Sequence, residues 1–553
     1  NFYNCRFMNL KKIVLRLGTE NLLSIIGIEV FNLLKLRGKA NLNSKNLTEI
    51  IFNIYSEKDL LKNKIFREMF FNAFDRKEIS IFGSAFNIPQ KNPWEELKKI
   101  NFDKKNNMDF LMKIFKIKDQ TITISEEIDK NNPIQIKPSY SLFDHQINVL
   151  FEIEKILKKP IKRVLLHMPT GSGKTRTAMN LICNYFKKNN AENNLVIWLA
   201  HTEELCQQAH DEFSNAWSNI GNKKIFSYKL FKNFRYDITK IKSGFAVISL
   251  DYAYSLTKKK QAEFLKLAAN CKFVIMDEAH MAVAPSYQLI LEIIASKSTN
   301  LLGLTATPGR SHMLKDEDIK LANFFHKQKA TLKIKKYKNP IKWLQEKGYL
   351  SLVETESLTS NININKIFSK REIKNEIDRI KDGKDLSQNF IKKIGSDEKR
   401  INMIIEKIIM ESKNEKNKII VFASSVKTAK KIYTVLKFEG ILSACVTQDT
   451  NLVERRNSIE SFKNEKSNLN IIINYGVLTT GFDAPKTDVV VIARPTSSAV
   501  TYHQMVGRGL RGPKLGGTAS CIIVDVDFNV ENHGSRRRQL YSYYRDLWSE
   551  EDD

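Results

Sequence analysis

Cysteine is scarce and scattered in this chain. Cys5, Cys183, Cys206, Cys271, Cys445 and Cys521 are the six present, and no two stand at C-x-x-C or another metal-ligand spacing. That argues against a disulfide framework and against structural zinc, and it predicts a reducing, cytoplasmic setting. Long apolar runs are also missing. The most apolar early stretch, Leu22 to Ile28, ends at Glu29, far short of the ~20 residues that a bilayer-crossing helix needs. The sequence therefore predicts neither a signal peptide nor a membrane segment. Acidic residues are in deficit: 61 Asp and Glu face 89 Lys and Arg, a formal net charge of +28. Such a surplus suits a polyanionic partner, nucleic acid first of all. The lysines are spread along the chain and not gathered into one block, so a compositional bias toward Lys, Ile and Asn accounts for them as well.

What is present is the composition of a folded, soluble protein, 42% hydrophobic and 27% charged. At 553 residues the chain exceeds what one core supports, and three or four units are expected. Residues 1–139 carry mostly helical apolar spacing, as in Asn21 to Leu36 and Leu60 to Phe74, punctuated by Pro89, Pro93, Pro133 and Pro138. They read as a helical accessory domain. Within it, Asp75 with Glu96-Leu-Lys98 loosely resembles a nuclease D…E-x-K set, but the surrounding residues read as a charged helix face.

From Val164 onward the texture changes to short β-rich runs alternating with helical segments. The runs are Val164 to His167, Leu195 to Ala200, Phe245 to Ser249, Phe273 to Met276 and Leu301 to Leu304. A second set follows at Lys418 to Ala423, Leu442 to Thr447, Asn470 to Tyr475, Val489 to Ala493 and Cys521 to Val526. This alternation predicts βαβ units and parallel sheets. The fold class expected is α/β, with two parallel-sheet lobes at 140–335 and 401–553 and a helical connector or linker at 336–400.

The strand at Arg163 to His167 runs into Met168-Pro-Thr-Gly-Ser-Gly-Lys-Thr175, and helix-forming residues follow. That strand–loop–helix context is what a phosphate-binding loop requires. Thr170, Gly171, Ser172 and Gly173 form the turn whose backbone N–H groups cradle phosphate, Lys174 reaches the β and γ phosphates, and Thr175 holds magnesium. Downstream, Phe273 to Met276 ends in Asp277-Glu-Ala-His280 at the carboxyl edge of the same predicted sheet, where open α/β sheets bind ligands. Asp277 suits an outer hold on magnesium and Glu278 the orientation of an attacking water. ATP and Mg2+ are the cofactors these residues predict.

Taken together, these residues resemble the superfamily 2 helicases, and the similarity continues in that family's order through residues 140–535. Leu142-Phe-Asp-His-Gln146 is similar to the Q motif, which implies an adenine contact for Gln146. Leu199-Ala-His-Thr-Glu-Glu-Leu-Cys-Gln207 is similar to motif Ia, implying a phosphate contact on the tracking strand for Thr202, and Ser249 to Tyr252 to motif Ic. Thr305-Ala-Thr-Pro308 matches motif III, so that Thr305 and Thr307, with His280, would couple hydrolysis to the nucleic-acid groove. Ile419-Ile-Val-Phe-Ala-Ser424 resembles motif IV. Val477-Leu-Thr-Thr-Gly-Phe-Asp-Ala-Pro485 resembles motif V, giving Thr479 a phosphate contact and Asp483 a nucleotide-side role. Gln504-Met-Val-Gly-Arg508-Gly-Leu-Arg511 is similar to motif VI. Arg508 and Arg511 would then be arginine fingers, guanidinium groups that present forked donors to the γ-phosphate oxygens.

The resemblance implies two tandem RecA-like lobes and an ATP-dependent DNA helicase or duplex translocase, similar to bacterial RadD-type ATPases and restriction-enzyme motor subunits. It carries an expectation of DNA over RNA, of a role in repair, restriction or antiphage defence, and of a protein partner for the N-terminal region. An RNA-dependent helicase and an ATP-switched scaffold are the alternatives that the motifs leave open. Near the C-terminus, Arg536-Arg-Arg538 with Tyr541, Tyr543, Tyr544 and Trp548 reads as a terminal helix or a nucleic-acid contact.

Overall fold

The computed structural model describes residues 9–86, 88–89, 92–102, 104–115, 117, 140–189, 194–231, 234, 236–296, 298–307, 315–334, 337, 339–360, 362–382, 384–415, 417–478 and 486–526. The chain divides into two compact units, residues 1–135 with 430–443, and residues 136–429 with 444–553. The basic, aromatic stretch at 536–548 lies outside the described residues.

The first unit is helical, as its apolar spacing predicts. Its helices start on polar caps: Asn43 accepts from Asn46 N–H, Ser56 from Asp59 N–H and Asn63 from Phe66 N–H. Its core is phenylalanine-rich. Phe70 stacks on Phe66 with ring centroids 5.3 Å apart and meets Phe74 edge-on at 5.1 Å, and Phe71 packs against Phe102 at 5.3 Å. Residues 430–443 complete this unit, through ion pairs of Lys431 with Glu29 at 2.9 Å and of Arg37 with Glu439 at 3.0 Å. The segment Pro93–Lys99 is a helix whose Lys98 and Lys99 pair with Glu95 and Glu96 one turn back, a solvated charged face.

The second unit holds two parallel-sheet α/β lobes. The first lobe contains β1 (Arg163–His167), β2 (Leu195–Ala200), β3 (Ser227–Leu230), β4 (Gly244–Ser249), β5 (Cys271–Met276), β6 (Asn300–Thr305) and β7 (Lys329–Thr331). They form a seven-stranded sheet in the order β3-β4-β2-β5-β6-β1-β7, with every pairing parallel. β2 and β4 are buried along their whole length, as befits strands covered on both faces. The second lobe contains β8 (Leu352–Leu358), β9 (Ile419–Phe422), β10 (Ser443–Thr447), β11 (Ile471–Tyr475), β12 (Val489–Ile492) and β13 (Ser520–Val526), in the order β10-β11-β9-β12-β13-β8. These are RecA-like lobes in tandem, with a helical region before them.

Three strands escape the sequence reading, and each is a sheet edge: β3, β7 and β8. β8 falls inside the segment expected to be a helical connector. It pairs with β13 from Leu352↔Ser520 to Leu358↔Val526, yet six of its seven residues are exposed. An edge strand with one neighbour and a wet face needs no apolar alternation, so Leu-Val-Glu-Thr-Glu-Ser-Leu gives no strand signal.

Gly303 is a tight point in the core of the first lobe. A Cβ there would lie 2.6 Å from Phe325 Cζ and 2.7 Å from Ala279 Cβ. Gly303→Leu should therefore overpack the core and lower stability by ~1–3 kcal/mol or more. A lowered melting temperature in calorimetry checks this, and an unshifted one contradicts the packing described.

Candidate active site

The strand order sets the site. β1, β6 and β5 are neighbours in register, with His167 opposite Thr305 and Met276 opposite Gly303, so the loops that leave them emerge side by side at the carboxyl edge. β2 continues the row, with Leu199 opposite Met276.

The loop after β1 turns on Gly171 (φ +81°) and Gly173 (φ +91°), left-handed positions that a side chain would strain. Gly173 leads directly into the helix Lys174–Lys188, and no side chain caps it. The orphan N–H groups of the first turn and the helix dipole therefore face the loop mouth. Inside the loop, Ser172 is fully buried and its hydroxyl donates to Pro169 O at 2.6 Å. Beneath it, Gln146 donates from Nε2 to Ser172 O at 3.1 Å and accepts Phe143 N–H on Oε1 at 3.0 Å. Gln146 is fully buried, with both ends of its amide engaged within the protein as a brace for the phosphate loop. His145 adds a second contact to Ser172 O at 3.3 Å.

Lys174 is partly buried and directs Nζ to Met168 O at 3.1 Å and Pro169 O at 3.4 Å. Burial lowers its pKa, against the pull of Glu278 and Asp277. A cation turned back on neutral carbonyls at a helix N-terminus is a ready partner for phosphate oxygens. Thr175 stands beside it in the first helical turn.

Asp277 and Glu278 follow β5. Asp277 N–H donates to Leu199 O at 2.9 Å, and Asp277 Oδ1 accepts Glu278 N–H at 3.0 Å. Burial, then the adjacent Glu278 carboxylate, pushes Asp277 up to about 7. A carboxyl so placed is kept ionised by a nearby cation, and with the Thr175 hydroxyl it fits a magnesium ion held mainly by phosphates and water. Among the described residues no group of three or more His, Cys, Asp or Glu side chains forms a dedicated metal cage.

Glu278 has φ 50° and ψ 49°, a left-handed conformation that costs ~1–3 kcal/mol for a non-glycine residue and is typical of functional strain. Burial pushes its pKa up, but a hydrogen bond from His280 and the positive charge of Lys174 outweigh this and hold Glu278 ionised. His280 Nδ1 lies 3.3 Å from Glu278 Oε2 and 3.4 Å from Thr305 Oγ1. Because the Thr305 hydroxyl gives its proton to Thr307 O at 2.8 Å, the network assigns the shared proton to His280 Nδ1. Thr307 N–H returns to Thr305 Oγ1 at 3.1 Å. Glu278, His280, Thr305 and Thr307 thus form one continuous chain.

The second lobe closes over this edge. Helix Ala499–Val506 carries Gln504, whose carbonyl accepts Arg508 Nε–H at 3.3 Å. Gly507 sits so close to the phosphate loop that a Cβ would collide with Thr170 Cγ2. Arg508 is near enough for its charge to act on both Lys174 and Asp277. Arg511 lies one turn of chain further, in an antiparallel bridge with Leu350, and Ser351 Oγ donates to Arg511 O at 2.6 Å. Thr202 caps helix Glu203–Ile220 by accepting Leu205 N–H at 3.2 Å, three strands away from the phosphate loop. Thr479 and Asp483 lie outside the described residues.

Several positioning residues carry no motif signal. Tyr349 and Leu350 belong to the first lobe's core, and the Tyr349 ring packs 4.5 Å from His145. Asp385 accepts from Ser497 N–H at 2.8 Å and Thr496 Oγ1 at 2.9 Å, fixing the approach to the helix that leads to Arg508. Both lie in the poorly patterned stretch between the lobes, where only geometry reveals them.

A site with these parts, on this pair of lobes, defines a P-loop ATPase core. Residues 139–310 match the family described as Type III restriction enzyme, res subunit, and residues 399–512 match the Helicase conserved C-terminal domain. The chain belongs to the superfamily 2 helicases. It is 27% identical over 391 residues to a Saccharomyces cerevisiae protein that carries the name ATP-dependent helicase IRC3, covering 68% of this chain and 50% of that one. It is 22% identical over 389 residues to the Type I restriction enzyme EcoAI endonuclease subunit of Escherichia coli, covering 66% and 44%. A fragment of an HsdR subunit of a type I restriction enzyme from Vibrio vulnificus YJ016 superposes with a TM-score of 0.47 at 18% identity, covering 70% of this chain and 64% of that one. The chain spans about half the length of the curated relatives it matches.

The geometry separates two roles. Lys174→Ala should abolish nucleotide binding and turnover together, whereas Glu278→Gln should retain ATP affinity and lose turnover by on the order of a hundredfold or more. Equilibrium binding of a fluorescent ATP analogue beside steady-state phosphate release checks both, and a fully active Glu278→Gln protein removes the water-positioning role.

Proposed function

We propose that this chain is a nucleic-acid-stimulated ATP hydrolase that moves along DNA, the motor component of a restriction, repair or antiphage system. The observation that carries this reading is the meeting of Lys174, Asp277 and Glu278 from one lobe with Arg508 from the other around a single phosphate loop. The triphosphate settles on the loop amides and the helix N-terminus, and Lys174 exchanges Met168 and Pro169 carbonyls for phosphate oxygens. Thr175 and Asp277 would hold magnesium, which when bound would supply positive charge to the phosphates. Glu278, kept ionised, orients the water whose oxygen bonds to the γ-phosphorus as the bond to the β-phosphate oxygen breaks. Arg508 and Arg511 balance the charge that redistributes as this happens.

The row of loops at the carboxyl edge runs from the nucleotide to Thr202 and Ser249, which lie where a nucleic-acid backbone would be gripped. Opening and closing of the two lobes would then step the grip along one strand. The DNA preference is supported by the restriction-subunit family match and the restriction-enzyme relative; relatives named as RNA helicases align at 18% to 63% of this chain. Backbone contacts carry little sequence information, so binding should be sequence-independent and should weaken steeply with salt.

Steady-state ATPase with single-stranded DNA, duplex DNA, forked DNA and RNA offered in parallel tests this. DNA should stimulate turnover more than matched RNA, with stimulation falling as salt rises. Stronger stimulation by RNA would shift the substrate to RNA, and indifference to every polymer would overturn the motor reading.

A further inference from the structure

His201 stands between Ala200, the last residue of β2, and Thr202, the cap of helix Glu203–Ile220. Because β2 lies between β4 and β5, its loop is flanked by the one that opens at Ser249 and the one that carries Asp277 and Glu278. Register fixes the levels. Leu199 is opposite Met276, Asp277 N–H donates to Leu199 O at 2.9 Å, and Ala200 is opposite Ser249. His201 and Glu278 therefore sit side by side just beyond the ends of adjacent strands.

The His201 ring is partly buried, and its Nδ1 is sealed from solvent without a hydrogen-bond partner. A buried polar atom left unsatisfied is rare and concentrates at functional places. The charges that act on this ring come from all the elements around it: Glu278 and His280 after β5, Asp251 after β4, and Glu204 on its own helix. Glu204 in turn pairs with Arg455 of the second lobe at 2.7 Å, so the helix that follows His201 is tied to the opposite wall of the groove. Glu278 is held by His280 through Oε2. A carboxylate fixed at one oxygen can still rotate, and each oxygen accepts more than one hydrogen bond.

We propose that His201 is a positioning residue that conveys nucleic-acid engagement at the loops after β2 and β4 to Glu278. When a strand is gripped beside Thr202, the imidazole completes a hydrogen bond to the Glu278 carboxylate and fixes its plane toward the attacking water. The inference rests on the reading of the chain as a nucleic-acid-stimulated ATPase.

The test compares the full chain with its His201→Ala and His201→Gln variants. For each, the ratio of DNA-stimulated to unstimulated ATPase, the ATP KM and the Kd for fluorescein-labelled single-stranded DNA in the presence of a non-hydrolysable ATP analogue are measured. His201→Ala should lose on the order of tenfold in the stimulation ratio, the scale of a misplaced catalytic group, with ATP KM and DNA Kd unchanged. His201→Gln, which keeps an amide donor, should recover part of it. The inference is overturned by an undiminished ratio in His201→Ala, by a loss that only tracks DNA Kd, or by a glutamine variant no better than alanine. A wild-type chain that DNA and RNA both fail to stimulate overturns the functional reading itself, an outcome visible before any variant is compared.

Discussion

Two cations and two carboxylates meet at the head of one helix, and the rest of the molecule is arranged around that balance. Lys174 and Arg508 repel each other, Lys174 draws on both Asp277 and Glu278 and Arg508 on Asp277, and the two carboxylates repel each other as well. Each member is held there by something stiffer than itself. The phosphate loop is fixed by Gly171 and Gly173 in conformations that side chains resist, Glu278 by a strained left-handed backbone, and the arginine-bearing loop by the contact of Gly507 with Thr170. A triphosphate changes the balance by adding negative charge between the two cations. Negative charge placed there attracts a cation from each lobe at once.

Lateral order along the sheet turns this charge balance into a device for transmitting state. From the phosphate loop the row passes through Thr305 and His280 to Glu278, then to His201 and Thr202, and then to Ser249. The steps are hydrogen bonds or adjacent strand ends, about 4.8 Å apart across the sheet. Ion pairing of Glu204 with Arg455 ties the far end of the row to the second lobe, so both ends of the row bridge the lobes.

Buried strands were plain in the sequence because they are covered on both faces and read as continuous apolar runs; Leu195–Ala200 and the four other runs of the first lobe needed no structure to find. Edge strands were not, since Leu352–Leu358 keeps its glutamates in water and relies on β13 for its hydrogen bonds. The site was legible where chemistry demands one residue type in one local context, as with the glycines of the loop, Lys174 and the Asp277-Glu278 pair. It was illegible where the role depends on what arrives from elsewhere in the chain. Gln146 braces the phosphate loop by donating to Ser172 O from 26 positions away, a contact its local motif does not spell out. Tyr349, Ser351 and Asp385 act through residues more than a hundred positions away, which no local pattern encodes.

The account stands on Arg508 reaching the phosphates from the opposite lobe, and single-turnover hydrolysis by Arg508→Ala at saturating ATP measures that most directly. Nucleotide affinity close to wild type, with a rate constant for phosphoryl cleavage reduced by on the order of a thousandfold, is the expected result. A cleavage rate equal to wild type would show that the second lobe takes no part in the chemistry and would contradict the account.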